Sequence, residues 1–274
     1  MPTRHLPRLA DADFRRLQQM MLQASGIRMA EQKRTLMAGR LMCRLRARNL
    51  GDYAAYLRLL EAPEENAERR LVVDLLTTNE TYFFREPQHF DVLGQWAAGQ
   101  RKPLRLWSAA ASSGQEAFSM AMTLAEHGPA DWSILASDLS QRVLEKGRRG
   151  IYPMEQAAHL PAGWLERHCL RGIGDSSGTF RIGNPLRQRV SFAEVNLART
   201  LPAEIGEFEA IFLRNVLIYF SSAEKRAIVA RLIERLAPGG RLFIGHAESL
   251  HGLDLPLRSV RPSVFERTDA KAHG

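Results

Sequence analysis

The chain has 274 residues, of which 45% are hydrophobic and 25% charged, the composition of an ordinary globular protein. No apolar run approaches the roughly 18 residues of a membrane span, and the first residues lack the apolar core of a secretion signal. Its two cysteines, Cys43 and Cys169, are far apart, and its eight histidines show no ligand spacing. We therefore expect free thiols, no metal, no membrane insertion and a cytoplasmic location.

The net charge of +8 lies entirely in the first part of the chain. Residues 1–60 contain 12 Lys/Arg and 4 Asp/Glu, whereas residues 61–274 contain 26 of each. This asymmetry predicts an acidic partner for the N-terminal part, because a uniformly basic protein would spread its excess charge.

Residues 1–75 have the apolar spacing of amphipathic helices. Phe14, Leu17, Met20 and Met21 follow a predicted cap at Asp11-Ala12-Asp13 at helical intervals, and two further helical patterns come after Gly26. We predict a basic, all-helical domain over 1–75, followed by a linker and signature segment over 76–102.

From residue 103 onward, short apolar strands alternate with amphipathic helices. The predicted strands cover 104–109, 133–137, 210–213 and 241–245, and the predicted helices cover 115–126, 140–149 and 223–236. Such alternation is typical of a doubly wound α/β sheet of mostly parallel strands, here over 103–274. A glycine-rich stretch at 171–192, with β-like runs at 179–182 and 188–192, predicts a small antiparallel subdomain inserted in it.

The turn after the first predicted strand is the expected position of a nucleotide cofactor. Its small residues at 110–114 allow a ligand close to the backbone, but they do not form the GxGxxG pattern that a diphosphate requires. A cofactor with a positive charge and no phosphate, such as S-adenosylmethionine, fits this loop better. Glu116 could hold such a cofactor's amino group, or it could only complement the dipole of its helix, and the residues alone do not decide between the two.

Asp138 ends the second predicted strand, 24 positions after Gly114. This spacing is near that at which an acidic residue binds ribose hydroxyls. The alternative is a cap of the next helix, which Ser140 could provide equally well.

Six segments of the chain resemble the chemotaxis receptor glutamate methyltransferases, the CheR family. They are LTTNETYFFREP at 76–87, RLWSAAASSGQE at 105–116, ASD at 136–138, VNL at 195–197, IFLRNVLIYF at 211–220 and GHAES at 245–249. They occur in the family's order and spacing and span nearly the whole chain. The resemblance implies a Rossmann-like methyltransferase fold that uses S-adenosylmethionine, releases S-adenosylhomocysteine and forms methyl esters on receptor glutamates.

The resemblance also implies roles for individual residues. Glu116 would hold the methionine amino group, Asp138 the ribose, and Asn196-Leu197 the adenine. The implied cofactor contacts are Asn79, Thr81, Arg85, Glu116, Asp138, Asn196, Leu197, Arg214 and Asn215. Arg85 and Tyr219 would lie beside the transferable methyl group and act in catalysis.

This chemistry needs no general base, because a glutamate carboxylate, with a pKa of about 4.3, is ionised at neutral pH. It needs alignment of the reacting atoms, for which an arginine can bind one carboxylate oxygen and a tyrosine hydroxyl can steer the other. Without the resemblance, Arg85 would be assigned to a surface ion pair with Glu86, and Tyr219 to core packing.

Two surfaces are candidate docking sites for a receptor. Arg40, Arg44 and Arg48 follow each other at four-residue spacing, with Arg46 close by. Such a stripe is usually a solvated face, but the concentration of charge favours docking of a glutamate-rich receptor helix. The 171–192 insert could bind a receptor's C-terminal peptide as an added strand, as the resemblance also implies, or it could be a hairpin that covers the sheet.

Two other functions remain as alternatives. A nucleic-acid methyltransferase would carry an Asn/Asp-Pro-Pro-aromatic motif where this chain has Arg214 to Tyr219, and the aromatic residues of 1–60 fall on apolar helix faces. We therefore expect no nucleic-acid partner. A non-catalytic, cofactor-binding signalling module is the second alternative, which only an assay excludes.

Overall fold

A computed structural model describes residues 7–77 and 79–268 and divides the chain into two compact units between residues 78 and 79. Over these described ranges, no helix is both long and apolar enough to cross a membrane.

The first unit is all-helical, as predicted. Its α-helices are α1 (Asp11–Ser25), α2 (Arg34–Ala47), α3 (Tyr53–Glu61) and α4 (Asn66–Leu76). Phe14, Leu17 and Met21 are buried along one face of α1, so the apolar spacing correctly identified the core side of this helix. Asp52 caps α3, because its side chain accepts a hydrogen bond from the amide of Ala55 at 2.7 Å.

Three arginines of the stripe on α2 make contacts inside this unit. Arg40 donates hydrogen bonds to the backbone carbonyls of Leu75 and Thr77, at 3.1 and 2.9 Å. Arg44 forms a bidentate pair with the buried carboxylate of Glu68, at 2.8 and 2.6 Å. These contacts join α2 to α4 and provide the C-terminal end of α4 with a cation for its exposed carbonyls.

The remaining two arginines of the predicted docking set differ from each other. Arg48 is paired with Glu65, whereas the side chain of Arg46 is exposed and has no ion pair or hydrogen bond within residues 7–77. Of the four, only Arg46 therefore offers its charge to an outside partner without breaking an internal contact.

The second unit is an α/β structure with two sheets. Its helices are α5 (Gln88–Ala98), α6 (Gln115–His127), α7 (Gln141–Arg149), α8 (Trp164–His168), α9 (Asn184–Arg187) and α10 (Ser222–Ile233). Its strands are β1 (Leu104–Ser108), β2 (Trp132–Asp138), β3 (Ile151–Pro153), β4 (Cys169–Arg171), β5 (Thr179–Ile182), β6 (Val190–Glu194), β7 (Phe208–Leu213), β8 (Leu236–Ile244), β9 (Leu257–Arg261) and β10 (Val264–Arg267).

The large sheet has the order β6-β2-β1-β7-β8-β10-β9, in which the first five strands are parallel and the last two antiparallel. The chain passes from β1 to β2 on one side and, after β6, crosses to β7 on the other side of β1. Such a switch point opens a crevice at the carboxyl ends of the strands, where ligands of α/β proteins bind. The doubly wound fold predicted from the alternation is confirmed.

The small antiparallel sheet has the order β3-β5-β4 and so differs from the predicted 171–192 insert. Its first strand, Ile151–Pro153, lies before the predicted range. The predicted run at 188–192 instead contributes to β6, which pairs in parallel with β2 in the large sheet. The sequence of 188–192 suits a strand in the small sheet as well as in the large one. Pairing with residues distant in the sequence decides which sheet it joins. The segment predicted as a linker, 76–102, also carries α5, which packs on α6 within the second unit.

Candidate active site

The loop between β1 and α6 lies at the switch point of the large sheet. Gly114, the residue before α6, has a φ of 93°, and a Cβ added there would meet the Tyr152 hydroxyl at 3.0 Å and the Gly147 Cα at 3.1 Å. Glycine is therefore required for both its backbone conformation and its small size. The loop presents the amino end of a 13-residue helix to the crevice.

Asp138, at the end of β2, connects this loop to the next strand. One carboxylate oxygen accepts a hydrogen bond from the amide of Ser112 at 3.0 Å, and the other accepts one from the amide of Ser140 at 3.0 Å. Ser140 itself caps α7 by accepting from the amide of Val143. The capping function thus belongs to Ser140, and Asp138 is half-buried at the crevice.

Three charged side chains form a chain of ion pairs beside this loop. Glu116, in the first turn of α6, accepts a hydrogen bond from the hydroxyl of Ser108 at 2.7 Å and one from Arg214 at 3.0 Å. Arg214, at the end of β7, is only 5% exposed and also donates to Glu86 at 3.1 Å. The side-chain nitrogen Nδ2 of Asn215 donates to the other oxygen of Glu86 at 3.1 Å. Within the signature segment, the side chain of Glu86 therefore makes the contacts to Arg214 and Asn215, and the side chain of Arg85 does not.

The two carboxylates of this chain differ in their pKa. Burial opposes ionisation of Glu86, but the hydrogen bond from Asn215 and the charge of Arg214 outweigh it and hold the pKa of Glu86 below its ordinary value. Burial raises the pKa of Glu116, and Arg214 and Ser108 offset this only in part. Positive charge near Glu116 therefore does not outweigh its burial, unlike at Glu86.

Glu248 fixes the loop that carries Arg214 and Asn215. Its buried carboxylate accepts hydrogen bonds from the backbone amides of Asn215, Leu217 and Gly245, at 2.9, 2.6 and 2.7 Å. The loops after β7 and β8 are thereby held together by one side chain. Burial raises the pKa of Glu248, against the three amide hydrogen bonds, which favour its ionised form.

Backbone strain is concentrated around the same crevice. Residues other than glycine rarely adopt positive φ, and holding them there costs about 1–3 kcal/mol each. In the described part of the chain, four such residues belong to the segments discussed above: Phe84, Glu86, Ser112 and Asn215. The network of Glu86, Asp138 and Glu248 supplies the hydrogen bonds that keep these segments in place.

The other residues predicted for the site lie around this network. The carbonyl of Asn79 accepts the hydroxyl of Ser112 at 3.0 Å, and Thr81 is half-buried nearby in the chain. Asn196 and Leu197 follow β6, the strand beside β2, and the amide of Val195 donates to the carbonyl of Asp138 at 3.1 Å. The carbonyl of Leu197 accepts a hydrogen bond from Arg231 at 2.7 Å.

The two residues predicted to act in catalysis lie in separate segments of the second unit. The backbone carbonyl of Arg85 accepts from Arg214, while its guanidinium donates to the carbonyl of Glu80 at 2.9 Å and lies 5.9 Å from the ring centre of Tyr82. Tyr219 is half-buried in the short 3-10 turn Leu217–Tyr219. The surface pair with Glu86 that the sequence allowed for Arg85 is not formed, because Glu86 binds Arg214.

Comparison with known protein families covers both units. The model of the all-alpha domain of CheR methyltransferases matches residues 12–77, and the model of the SAM binding domain of CheR methyltransferases matches residues 79–264. The chain belongs to the CheR methyltransferase family. The resemblance found in the sequence is thereby confirmed, and the second unit is a domain that binds S-adenosylmethionine (SAM).

Curated relatives align over most of the chain. The chemotaxis protein methyltransferases of Salmonella typhimurium and Escherichia coli are each 42% identical, over 89% and 90% of this chain and 86% and 87% of their own lengths. Chemotaxis protein methyltransferase 2 of Pseudomonas aeruginosa is 40% identical over 92% of each chain.

Two members of the network received no role from the sequence, namely Glu86 and Glu248. Both lie in segments that carry the resemblance, and Glu86 was considered only as a partner of Arg85. Glu248 binds the amide of Leu217, which is more than 30 residues away in the sequence, and Glu86 binds Asn215, which is more than 120 residues away. No local spacing reveals such contacts.

Proposed function

We propose that this protein transfers methyl groups from SAM to glutamate side chains of bacterial chemoreceptors in the cytoplasm, leaving glutamate methyl esters and S-adenosylhomocysteine. Beyond family membership, one observation carries the proposal. The buried guanidinium of Arg214 faces two carboxylates, Glu86 and Glu116, so the site carries an excess of negative charge. That excess suits a cofactor with positive amino and sulfonium groups and disfavours a diphosphate.

The residues present fit this cofactor. Glu116 would bind the amino group, since Arg214 and Ser108 leave its pKa raised and its charge only partly compensated. Asp138 would bind the ribose hydroxyls, because it is half-buried at the carboxyl end of β2, where ligands of α/β proteins bind. The complete set proposed to hold the cofactor is Asn79, Thr81, Arg85, Glu116, Asp138, Asn196, Leu197, Arg214 and Asn215.

When bound, SAM supplies a methyl group on a positively charged sulfur. The substrate carboxylate is already ionised, so the protein needs to remove no proton and can act by orientation and exclusion of water. Arg85 would hold one carboxylate oxygen. Its guanidinium has five N–H donors, and the hydrogen bond from Nη1 to the carbonyl of Glu80, at 2.9 Å, uses one of them. Tyr219 would steer the attacking oxygen through its hydroxyl.

Receptor docking would use the exposed cations of the helical unit, with Arg46 as the proposed contact on α2. The earlier set of Arg40, Arg44 and Arg48 is bound internally, so charge reversal there would disturb folding together with docking. Reversal at the exposed Arg46 isolates the effect of charge. Arg46→Glu should raise KM for receptor while the affinity for S-adenosylhomocysteine stays that of the wild type, and an unchanged KM would count against docking through this residue.

The small sheet is the proposed binding place for a receptor's C-terminal peptide. β3 and β4 are its edge strands, and the large apolar side chains of Leu170 and Ile173 are 61% and 84% exposed beside β4. An exposed edge can add a peptide as a further strand, with apolar side chains providing contacts. Calorimetric titration with receptor tail peptides should give saturable heat with the wild type, and absence of heat with all of them would refute the tether.

The proposed catalytic role of Arg85 is tested by turnover on receptor-containing membranes with labelled SAM. Arg85→Ala should abolish methyl transfer, whereas Arg101→Ala, an exposed arginine in the same unit, should leave the rate unchanged. Circular dichroism of both variants checks that they are folded. Methyl transfer by a folded Arg85→Ala protein at the wild-type rate would remove this residue from the mechanism.

A further inference from the structure

Two histidines and a glutamate form a cluster at the outer side of the ion-pair chain. Glu86 precedes α5, His89 lies in its first turn, and His246 follows β8. One possible ligand atom from each residue lies within 4.8 Å of the other two. The functions proposed above make no use of either histidine.

His89 is the unusual member of this cluster. It is only 1% exposed, and neither of its ring nitrogens has a hydrogen-bond partner in the described residues. Buried polar side chains almost always have a partner, so an orphaned imidazole indicates a missing ligand. Its Nδ1 lies 3.4 Å from a carboxylate oxygen of Glu86, and is therefore directed into the cluster.

His246 supplies the adjustable part of the site. Its side chain is exposed, and its ring centre lies 4.7 Å from that of His89, with the two planes inclined by 70°. Zinc bound at about 2.0–2.1 Å would bring neighbouring ligand atoms to roughly 3.3 Å from each other. Rotation of the exposed His246 side chain can close the remaining gap without moving the buried His89.

The local charge also accommodates a cation. Arg214 is the buried cation beside the cluster, and it is shared between Glu86 and Glu116. The Oε2 atom of Glu86, which faces His89, also accepts hydrogen bonds from Arg214 and from the backbone amide of His246 at 3.1 and 3.2 Å. A divalent ion bound there would share this oxygen, in a region in which carboxylates outnumber guanidinium groups. Solvent reaches the site on the side of His246, which gives the ion an entry path.

We propose that Glu86, His89 and His246 form a binding site for a divalent transition metal, with Zn²⁺ as the ion that its ligands suit best. Two imidazoles and one carboxylate are a common three-residue set for zinc, and they leave a fourth position for water or another ligand. Because Glu86 also binds Arg214 and Asn215, an ion at this site shares a ligand with the ion-pair chain.

Cobalt provides a spectroscopic test, because Co²⁺ occupies zinc sites and absorbs visible light there. The full chain, freed of any affinity tag and stripped of metal, is titrated with Co²⁺ and then with Zn²⁺. One equivalent of Co²⁺ should produce visible absorption bands, and Zn²⁺ should abolish them. His246→Ala should weaken Co²⁺ binding by about tenfold or more, since it removes one of three protein ligands from an exposed position.

His251→Ala provides the matched control, since His251 is another exposed histidine of the second unit. It should bind Co²⁺ as the wild type does. Absence of stoichiometric binding by the wild type, or equal affinity in the wild type and His246→Ala, would overturn the proposal. Equal weakening in both histidine variants would also overturn it, because the binding would then be general surface binding.

Discussion

The carboxylate of Glu68 on α4 accepts two hydrogen bonds from the guanidinium of Arg44 on α2, at 2.8 Å from Nε and 2.6 Å from Nη2. The hydroxyl of Tyr56 donates a third, at 2.6 Å. Glu68 is only 3% exposed. One arginine of an apparently basic surface thus neutralises a buried acid inside the helical unit.

Removal of Arg44 should therefore affect stability before it affects substrate binding. Arg44→Ala leaves Glu68 buried without its cation, which typically costs about 3–5 kcal/mol. Urea denaturation of the full chain, followed by circular dichroism, measures the change. Arg46→Ala, on the same helix and exposed, should change the free energy of unfolding by less than about 0.5 kcal/mol. Equal stability of the two variants would contradict the structural role of Arg44.

The same pair predicts a dependence of stability on pH. The hydrogen bond from Arg44, against the opposing effect of burial, lowers the pKa of Glu68 below the ordinary 4.5. A depressed pKa means that the pair contributes its full stability above the unfolded-state value, and that this stability is lost as the pH falls through the lower folded-state value. Below about pH 4.5, the free energy of unfolding of the wild type should fall more steeply than that of Glu68→Gln. Parallel pH profiles would exclude this contribution.

Glu116 should make cofactor affinity sensitive to pH. Its pKa is raised mainly by burial, so its carboxylate takes up a proton at a higher pH than an ordinary glutamate. Because a cationic amino group binds only the ionised form, the affinity for S-adenosylhomocysteine should fall as the pH decreases through that raised pKa. Glu116→Gln should weaken binding at neutral pH by roughly tenfold to a hundredfold, the effect of losing a hydrogen bond to a charged group, and should flatten the profile.

Isothermal titration across pH values measures this dependence. Glu155→Gln, an exposed glutamate of the second unit, serves as the control and should retain both the affinity and the pH profile of the wild type. If Glu116→Gln bound the product with unchanged affinity, its carboxylate would have no part in holding the amino group.

Much of the fold could be predicted from the sequence, because the relevant patterns are local. Helical spacing identified Phe14, Leu17 and Met21 as core residues, and the alternation of strands and helices identified the parallel sheet. The location of β6 could not be predicted in this way, since its pairing with β2 joins residues more than 50 positions apart. For the same reason the internal partners of the stripe on α2 could not be predicted, because the spacing of residues within one helix does not reveal the partners that another helix supplies.

For the candidate site, too, features set by local sequence could be predicted and long-range contacts could not. Asp138 was correctly placed at the end of a strand, and Ser140 was correctly named as able to cap the next helix. Glu248 was not found, because nothing near it in the sequence indicates that the amides of Asn215 and Leu217, more than 30 residues away, will donate to its carboxylate. Proposals about long-range polar networks therefore required the structure.

Glu248 is predicted to position the loop that carries Arg214. Glu248→Ala would leave the buried amides of Asn215 and Leu217 without acceptors, at a cost of at least about 2 kcal/mol. Thermal unfolding should reveal this loss, and the affinity for S-adenosylhomocysteine should decrease even at temperatures where the variant is folded. Ser249→Ala, at the exposed neighbouring residue, should have neither effect. A stable variant with wild-type affinity would contradict the positioning role.

Release of methanol in mild alkali tests the proposed reaction most directly. The purified chain is incubated with methyl-labelled SAM and with membranes that contain a chemoreceptor, and the washed membranes are then treated with base. Glutamate methyl esters hydrolyse under these conditions, so labelled volatile methanol should appear only when receptor, SAM and protein are all present. Label that stays bound to the receptor or to another acceptor after alkali, or no transfer of label at all, would contradict ester formation by this protein.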